Sequence, residues 1–335
     1  MHNFDRQNSD PLVTVIVPFL NEREVIQTTY ARTAEALSQL RFELIFVDDG
    51  SQDDSPEMVA QICRSDERVR LVRLSRNFGH QVALSAGLDA ATGDVAVFLD
   101  ADLQDPPELI PEMLEIWRNG ADVVTGVRRS RAGEPWSRML VTSLFYRGLQ
   151  RLSTVPLTPQ AADFRLIDRK IIDQICNMAD CDPYLRGMVA WLGFNQVKLP
   201  YDRDARLGGT PKYTLKKLIR LAMDGIMAFS DGPMMAFVVM SIVFGAAGVA
   251  CCLASLTFGM GCLFAGLVFG AIGLQWLALG ILGEYLTRIY RSLRGRPLYV
   301  VGSRSGFDVA ESGAPRPTPR VYRSEPTSVF RGTAK

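Results

Sequence analysis

The chain has 335 residues, of which 47% are apolar and 22% charged; that is room for one large domain or two, with more apolar content than a soluble domain needs. Its 37 basic and 36 acidic residues leave a formal net charge of +1, so composition gives no ground for nucleic-acid binding. The six cysteines, Cys63, Cys176, Cys181, Cys251, Cys252 and Cys262, show no metal-ligand spacing and read as reduced structural thiols rather than a zinc site or a disulfide framework.

In chain order, Leu12–Pro18 (LVTVIVP) forms a short β-branched strand, and NEREVIQTTYARTAEALSQL follows with the apolar spacing of an amphipathic helix. The alternation then repeats. FELIFVDD is a strand ending in Asp48 and Asp49, SPEMVAQICRS a helix, VRLVRLS a strand, GHQVALSAGLDAAT a helix and DVAVFLD a strand. A helix over Pro107–Asn119 and a strand over Asp122–Arg128 come next. Strands and helices alternating through short connections predict an α/β fold, a mostly parallel, Rossmann-like sheet with helices on both faces. Neither a P-loop nor G-x-G-x-x-G stands at the first strand-to-helix turn, which argues against NTPases and dinucleotide enzymes. Trp136–Leu152 reads as an interfacial helix, Ala161–Arg169 as a strand leading into a helix, and Gln196–Tyr201 as a last strand before the basic loop DRDARLGGTPKY.

From Gly232 to Gly283 no residue is charged, enough for two membrane spans of roughly twenty residues each, with TFGMG (Thr257–Gly261) as their turn. Lys212, Lys216, Lys217 and Arg220 precede this run, and Arg288, Arg291, Arg294 and Arg296 follow it. Such flanks place both ends in the cytoplasm, and the opening residues show no signal peptide. The expectation is therefore a multi-pass protein of the inner (cytoplasmic) membrane, its large amino-terminal part cytoplasmic and its basic clusters against the lipid bilayer. Expected boundaries are 1–210 for the cytoplasmic domain, 211–231 for an amphipathic juxtamembrane helix and 232–283 for the two-helix transmembrane hairpin. A cytoplasmic segment 284–306 and a disordered tail 307–335 follow. Gly245, Gly248 and Gly266 would allow close helix packing in a homo-oligomer.

VFLDADLQDPPE sets Asp100, Asp102 and Asp105 at the end of a buried strand. Carboxylates this close raise one another's pKa unless a cation separates them. Mg²⁺ or Mn²⁺ prefers one or two carboxylates plus phosphate oxygens, which points to a metal holding a diphosphate at the carboxyl end of the sheet. On the residues alone, an acidic turn with Asp105 as the N-cap of the next helix is the alternative.

VPFLNE, VDDGSQDDS, NFGHQVALSAGL, LDADLQDPPE, DFRLIDR and GEYLTRIY stand in one order between Leu12 and Val301. Together they resemble glycosyltransferase family 2, and within it the polyprenyl-phosphate glycosyltransferases, especially the bactoprenol glucosyltransferases. The resemblance implies a GT-A fold over 1–210, a nucleotide-sugar donor, a divalent metal (Mg²⁺ or Mn²⁺) and a polyprenyl phosphate acceptor. It places Asp48 and Asp49 at the nucleoside, with Pro18 and Glu22 lining the same pocket. Asp100, Asp102 and Gln104 fall at the metal, and Arg128 and Arg138 near the lipid phosphate. Arg203, Arg206 and Lys212 fall in a loop closing over the diphosphate. Asp163 opens the DFRL motif, as base or as organiser of the acceptor arginines. A phosphate monoester, with a second pKa of about 6, is already largely ionised near neutrality, which favours the organiser. A salt bridge from Asp163 to Arg165 or Arg169 is the structural alternative, and Arg186 could join the same cluster. GGTPKY departs from the family's Gly-x-Ser-Lys-Tyr by placing Pro211 where a small hydroxyl is expected, which removes an N–H donor. The expected reaction is inverting transfer of a hexose, most simply glucose from UDP-glucose, to undecaprenyl phosphate.

Overall fold

The computed structural model describes residue 6 and residues 10–129, 161–178, 183–202, 243, 246 and 261–307. Its elements are β1 (Val13–Phe19), α1 (Ile26–Ala36), β2 (Phe42–Asp48), α2 (Ser55–Ser65), β3 (Val69–Leu74), α3 (His80–Ala90) and β4 (Val95–Phe98). A 3-10 turn (Pro107–Leu109) leads into α4 (Ile110–Arg118), followed by β5 (Val123–Arg128), β6 (Ala161–Asp168), α5 (Arg169–Asn177), α6 (Leu185–Trp191) and β7 (Gln196–Tyr201). A long helix, α7 (Gly261–Leu293), and β8 (Val301–Ser305) complete the described chain.

The strands form one sheet in the order β7-β5-β6-β4-β1-β2-β3-β8. β4, β1, β2 and β3 run parallel, as the alternating pattern predicts. Every position of β1 and β2 is buried, which is why these strands read as continuous apolar runs rather than alternating ones. Successive side chains still point to opposite faces. Val13, Val15 and Val17 of β1 pack with Leu37, Val59, Met113 and Trp117. Ile16 packs on the other side with Leu84, Leu88, Ile171, Ile172 and Ile175. Helices thus cover both faces.

Two strands depart from the parallel scheme. β6 inserts between β4 and β5 and runs antiparallel to both. β8, from the segment expected to lie outside the domain, pairs antiparallel with the edge strand β3 and is tied further by Tyr299, whose hydroxyl donates to Asp89 Oδ2 at 2.7 Å.

Among the described residues no helix is long and apolar enough to cross a membrane. This finding corrects the expected multi-pass placement in the inner membrane. α7 does not stop where the charge-free run stops, at Gly283, but continues to Leu293 through Glu284, Arg288 and Arg291. Apart from residues 243 and 246 and Gly261, which opens α7, the first expected span and its TFGMG turn lie outside the described residues, as do the helices expected at 136–152 and 211–231 and the tail from 308.

Candidate active site

The parallel strands deliver the candidate residues to one edge of the sheet, outside the carboxyl ends of β1, β2 and β4. Pro18 and Phe19 close β1 in register with Val47 and Asp48 of β2. Asp48 is fully buried: its Oδ1 accepts the Ser51 N–H at 2.7 Å, and its Oδ2 lies 3.2 Å from Arg73 Nε in an ion pair whose angle is poor for a hydrogen bond. Asp49 accepts the backbone N–H groups of Phe78 at 2.7 Å and of Gly79 at 3.0 Å. Burial raises the Asp49 carboxyl above its ordinary range while these N–H groups oppose the shift. Gly50, which follows Asp49, adopts φ +79°, and a Cβ there would stand 2.5 Å from the Arg76 carbonyl carbon, so only glycine fits the turn. The main-chain carbonyl of Glu22 accepts from Val25 and Ile26 at the start of α1, and its N–H donates to Ser55 Oγ at 3.0 Å.

Asp49 thereby sets the loop that carries His80, the first residue of α3. His80 Nε2 lies 3.7 Å from Asp100 Oδ1 and 3.8 Å from Asp163 Oδ2, facing the gap between the two carboxylates. Asp163 reaches this point through the antiparallel register of β6: Phe98 pairs with Arg165, and two steps further along each strand bring Asp100 beside Asp163. Asp163 is paired with Arg186 of α6, a residue that could join its cluster on the sequence reading, whose Nε and Nη2 donate to Asp163 Oδ1 at 3.1 and 2.9 Å. Burial alone would raise the Asp163 carboxyl, but Arg186, with His80 and Arg165, holds it below the usual carboxylate range. Arg165, buried beside it, has its guanidinium pulled down to about 10, by burial first and then by Arg186. Arg169 turns away and donates to the carbonyls of Gly93 and Ala91.

The loop after β4 carries the other acidic groups. Burial, together with Asp105, Asp163 and Asp102 and against the pull of His80, pushes the Asp100 carboxyl up to about 6. Asp102 Oδ1 accepts the Gln104 N–H at 3.2 Å, and Leu103 between them is buried at φ +52°, a left-handed conformation that costs a branched side chain about 1 kcal/mol or more. Asp105 points inward to Tyr201 and to Arg128 at the end of β5. Burial weakens the charge of Arg128, but Asp105, followed by Tyr201 and Asp100, more than restores it, so the guanidinium is held more firmly protonated than usual.

No group of three or more His, Cys, Asp or Glu side chains among the described residues could hold a metal ion unaided. Hard oxygen donors with few protein ligands still suit Mg²⁺ or Mn²⁺, which completes its shell with substrate phosphates. The raised Asp100 carboxyl is what a cation would relieve, so the donor set of Asp100, Asp102 and Gln104 fits the group.

Asp100, Asp102, Gln104, Arg128 and Asp163 therefore meet at one edge, with Pro18, Glu22, Asp48 and Asp49 beside them at or just beyond the ends of β1 and β2. Arg138, Arg203, Arg206 and Lys212 lie outside the described residues. His80 and Tyr201 enter the site unannounced by the sequence. His80 stands inside the NFGHQVALSAGL motif after a glycine at a strand-to-helix turn, and nothing local indicates that this turn faces β6.

A family model described as Glycosyl transferase family 2 matches residues 14–176. Over 307 residues the chain is 40% identical to the "Uncharacterized glycosyltransferase YkcC" of Bacillus subtilis, covering 88% of this chain and 94% of that one. This chain belongs to glycosyltransferase family 2. It is an enzyme of that family, and it is also 32% identical over 309 residues to the "Bactoprenol glucosyl transferase" of Shigella phage SfX, covering 87% of this chain and 99% of the relative. A crystal structure of glucosyl-3-phosphoglycerate synthase from Mycobacterium tuberculosis with Mn²⁺ and UDP-glucose covers 64% of this chain and 77% of that chain at 22% identity, with a TM-score of 0.44, a likeness too remote to argue from.

Proposed function

We propose that this glycosyltransferase moves a hexose, glucose from UDP-glucose, onto a polyprenyl phosphate, with inversion at the anomeric carbon. The observation that supports it best is the meeting of two sets of groups: the carboxylates after β4, suited to a metal and a diphosphate, and the cationic groups Arg128 and Arg186, suited to a second phosphate. The relatives named bactoprenol glucosyl transferase favour glucose and a polyprenyl carrier.

Asp100, Asp102 and Gln104 would hold Mg²⁺ or Mn²⁺, which when bound neutralises the diphosphate as it leaves. Pro18, Glu22, Asp48 and Asp49 shape the nucleoside pocket; Asp48 and Asp49 do so from beneath, since neither carboxylate faces solvent. Arg128 offers a planar fork to the acceptor's phosphate, with Arg138 assigned to the same clamp and Arg203, Arg206 and Lys212 to the loop over the diphosphate. A carboxylate held below the usual range is a poor proton acceptor near neutrality, and the acceptor phosphate needs no base. Asp163 therefore acts as an organiser, with one oxygen locked by Arg186 and the other facing His80. With the acceptor oxygen as the nucleophile, a single displacement inverts the anomeric centre.

The test is a donor screen with the full chain: labelled UDP-glucose, UDP-galactose, UDP-N-acetylglucosamine and GDP-mannose, each with undecaprenyl phosphate and Mg²⁺. Lipid-phase label from UDP-glucose is expected. Label from another donor alone would refute the sugar, and label from none would refute the reaction.

A further inference from the structure

Asp105 has no part in the roles described above, yet only 1% of it is exposed. It does not cap the helix that follows: the 3-10 turn starts behind Pro106 with no side-chain cap hydrogen bond. Its Oδ1 instead accepts the Tyr201 hydroxyl and lies 3.5 Å from Arg128 Nη2. Its Oδ2 is buried and has no hydrogen-bond partner among the described residues. Arg128 and Tyr201 are register partners at the last positions of the parallel strands β5 and β7, and Arg128 Nε is 3.4 Å from the Tyr201 hydroxyl. Three side chains, one from the loop after β4 and one from each of two strand ends, thus close a triangle. Gly126 makes room for it, since a Cβ there would stand 2.9 Å from Tyr201 Cε1. A carboxylate buried with a hydrogen bond unmade is costly, and packing alone would be served better by a neutral side chain. The charge makes sense if it is there for Arg128.

We propose that Asp105 is a positioning residue that fixes Arg128 against the metal-binding loop, so that the remaining N–H groups of the guanidinium are presented to the acceptor's phosphate. The inference rests on Arg128 being the acceptor clamp of the proposed function. Through this one carboxylate, the loop assigned to the donor diphosphate and the arginine assigned to the acceptor are held at a fixed separation before either substrate binds, which is where positioning contributes most to transfer. Tyr201 extends the tie to β7.

The test compares the wild-type chain with Asp105→Asn, Arg128→Ala and the double variant. Two readouts are needed: calorimetric binding of UDP with Mn²⁺, and binding and KM of a short-chain polyprenyl phosphate. Asp105→Asn should leave UDP affinity within about twofold of wild type but weaken the acceptor by about tenfold or more, the size expected for a lost charge-assisted contact. In the double variant the acceptor should fare no worse than in Arg128→Ala, because both changes break one linkage. Unchanged acceptor binding in Asp105→Asn, a parallel loss of UDP affinity, or effects that multiply in the double variant would each overturn the proposal. Unchanged acceptor binding in Arg128→Ala would instead remove the clamp on which it rests. If Asp105→Asn fails to fold, Tyr201→Phe keeps the charge and should shift acceptor KM in the same direction, to a smaller extent; an acceptor KM like wild type there would also overturn it.

Discussion

Replacing Asp100 by Asn should stabilise the metal-free protein while abolishing its response to divalent cation. Burial first, then the carboxylates of Asp105, Asp163 and Asp102, raise the Asp100 carboxyl from 3.8 to about 6. The ionised form is thus disfavoured in the fold. The resulting penalty is fully present above about pH 6, falls as pH drops toward 3.8 and is absent below that. A displacement of that size disfavours the ionised form by about 3 kcal/mol. The side chain is 35% exposed, and solvent screening reduces the figure to about 1–2 kcal/mol. At about 2–4 °C per kcal/mol for a domain of this size, Asp100→Asn should unfold about 2–8 °C higher than wild type at pH 8 in chelator. The gap should close near pH 4. Saturating Mn²⁺ should reverse the order, since a ligand at a hundred times its Kd adds about 2.7 kcal/mol to a protein that can bind it. Thermal unfolding followed by circular dichroism reads both effects. A variant less stable than wild type in chelator at pH 8, or one that responds equally to Mn²⁺, would refute the reasoning.

Asp49→Ala removes the acceptor for the Phe78 and Gly79 N–H groups and should cost about 1–3 kcal/mol in urea unfolding, with turnover lost beyond the stability effect because His80 moves with the loop; turnover like wild type in the folded variant would contradict this. Gly126→Ala places a Cβ 2.9 Å from Tyr201 Cε1 and 3.0 Å from Phe164 Cδ1, and overpacking there should cost about 1–3 kcal/mol, read as a lower denaturation midpoint. Trp117→Phe removes the indole N–H that Asp168 Oδ2 accepts at 2.7 Å. It should destabilise by about 1 kcal/mol or more without changing KM for donor or acceptor, since this network lies behind the sheet edge that bears the site.

The parallel half of the sheet was legible because β1, β2 and β4 are apolar runs and helices follow the strands through short connections. The crowding of carboxylates after β4 was legible because Asp100, Asp102 and Asp105 stand within six positions behind a buried apolar strand. The orientation of β6 was not. ADFRLID has the composition of a strand in either direction, and only its pairing between β4 and β5 makes it antiparallel. That orientation brings Asp163 to Asp100 and His80, so these neighbours were hidden with it, whereas Arg186 was already a candidate for the cluster. β8, VGSRS, carries one apolar residue that packs and an exposed arginine, too little pattern to mark an edge strand held by backbone pairing. Asp49 shows the same limit at one residue: nothing in the sequence tells that its carboxylate anchors the loop before α3 through the Phe78 and Gly79 N–H groups.

The most direct test of the central claim is a single-turnover transfer from labelled UDP-glucose to polyprenyl phosphate, run with Mn²⁺, with chelator, and with Asp102→Asn. Label in the lipid product with inverted anomeric configuration is expected for the wild type with metal, and none in the other two reactions. Equal transfer after chelation or by Asp102→Asn, or a product that keeps the donor's configuration, would contradict the claim.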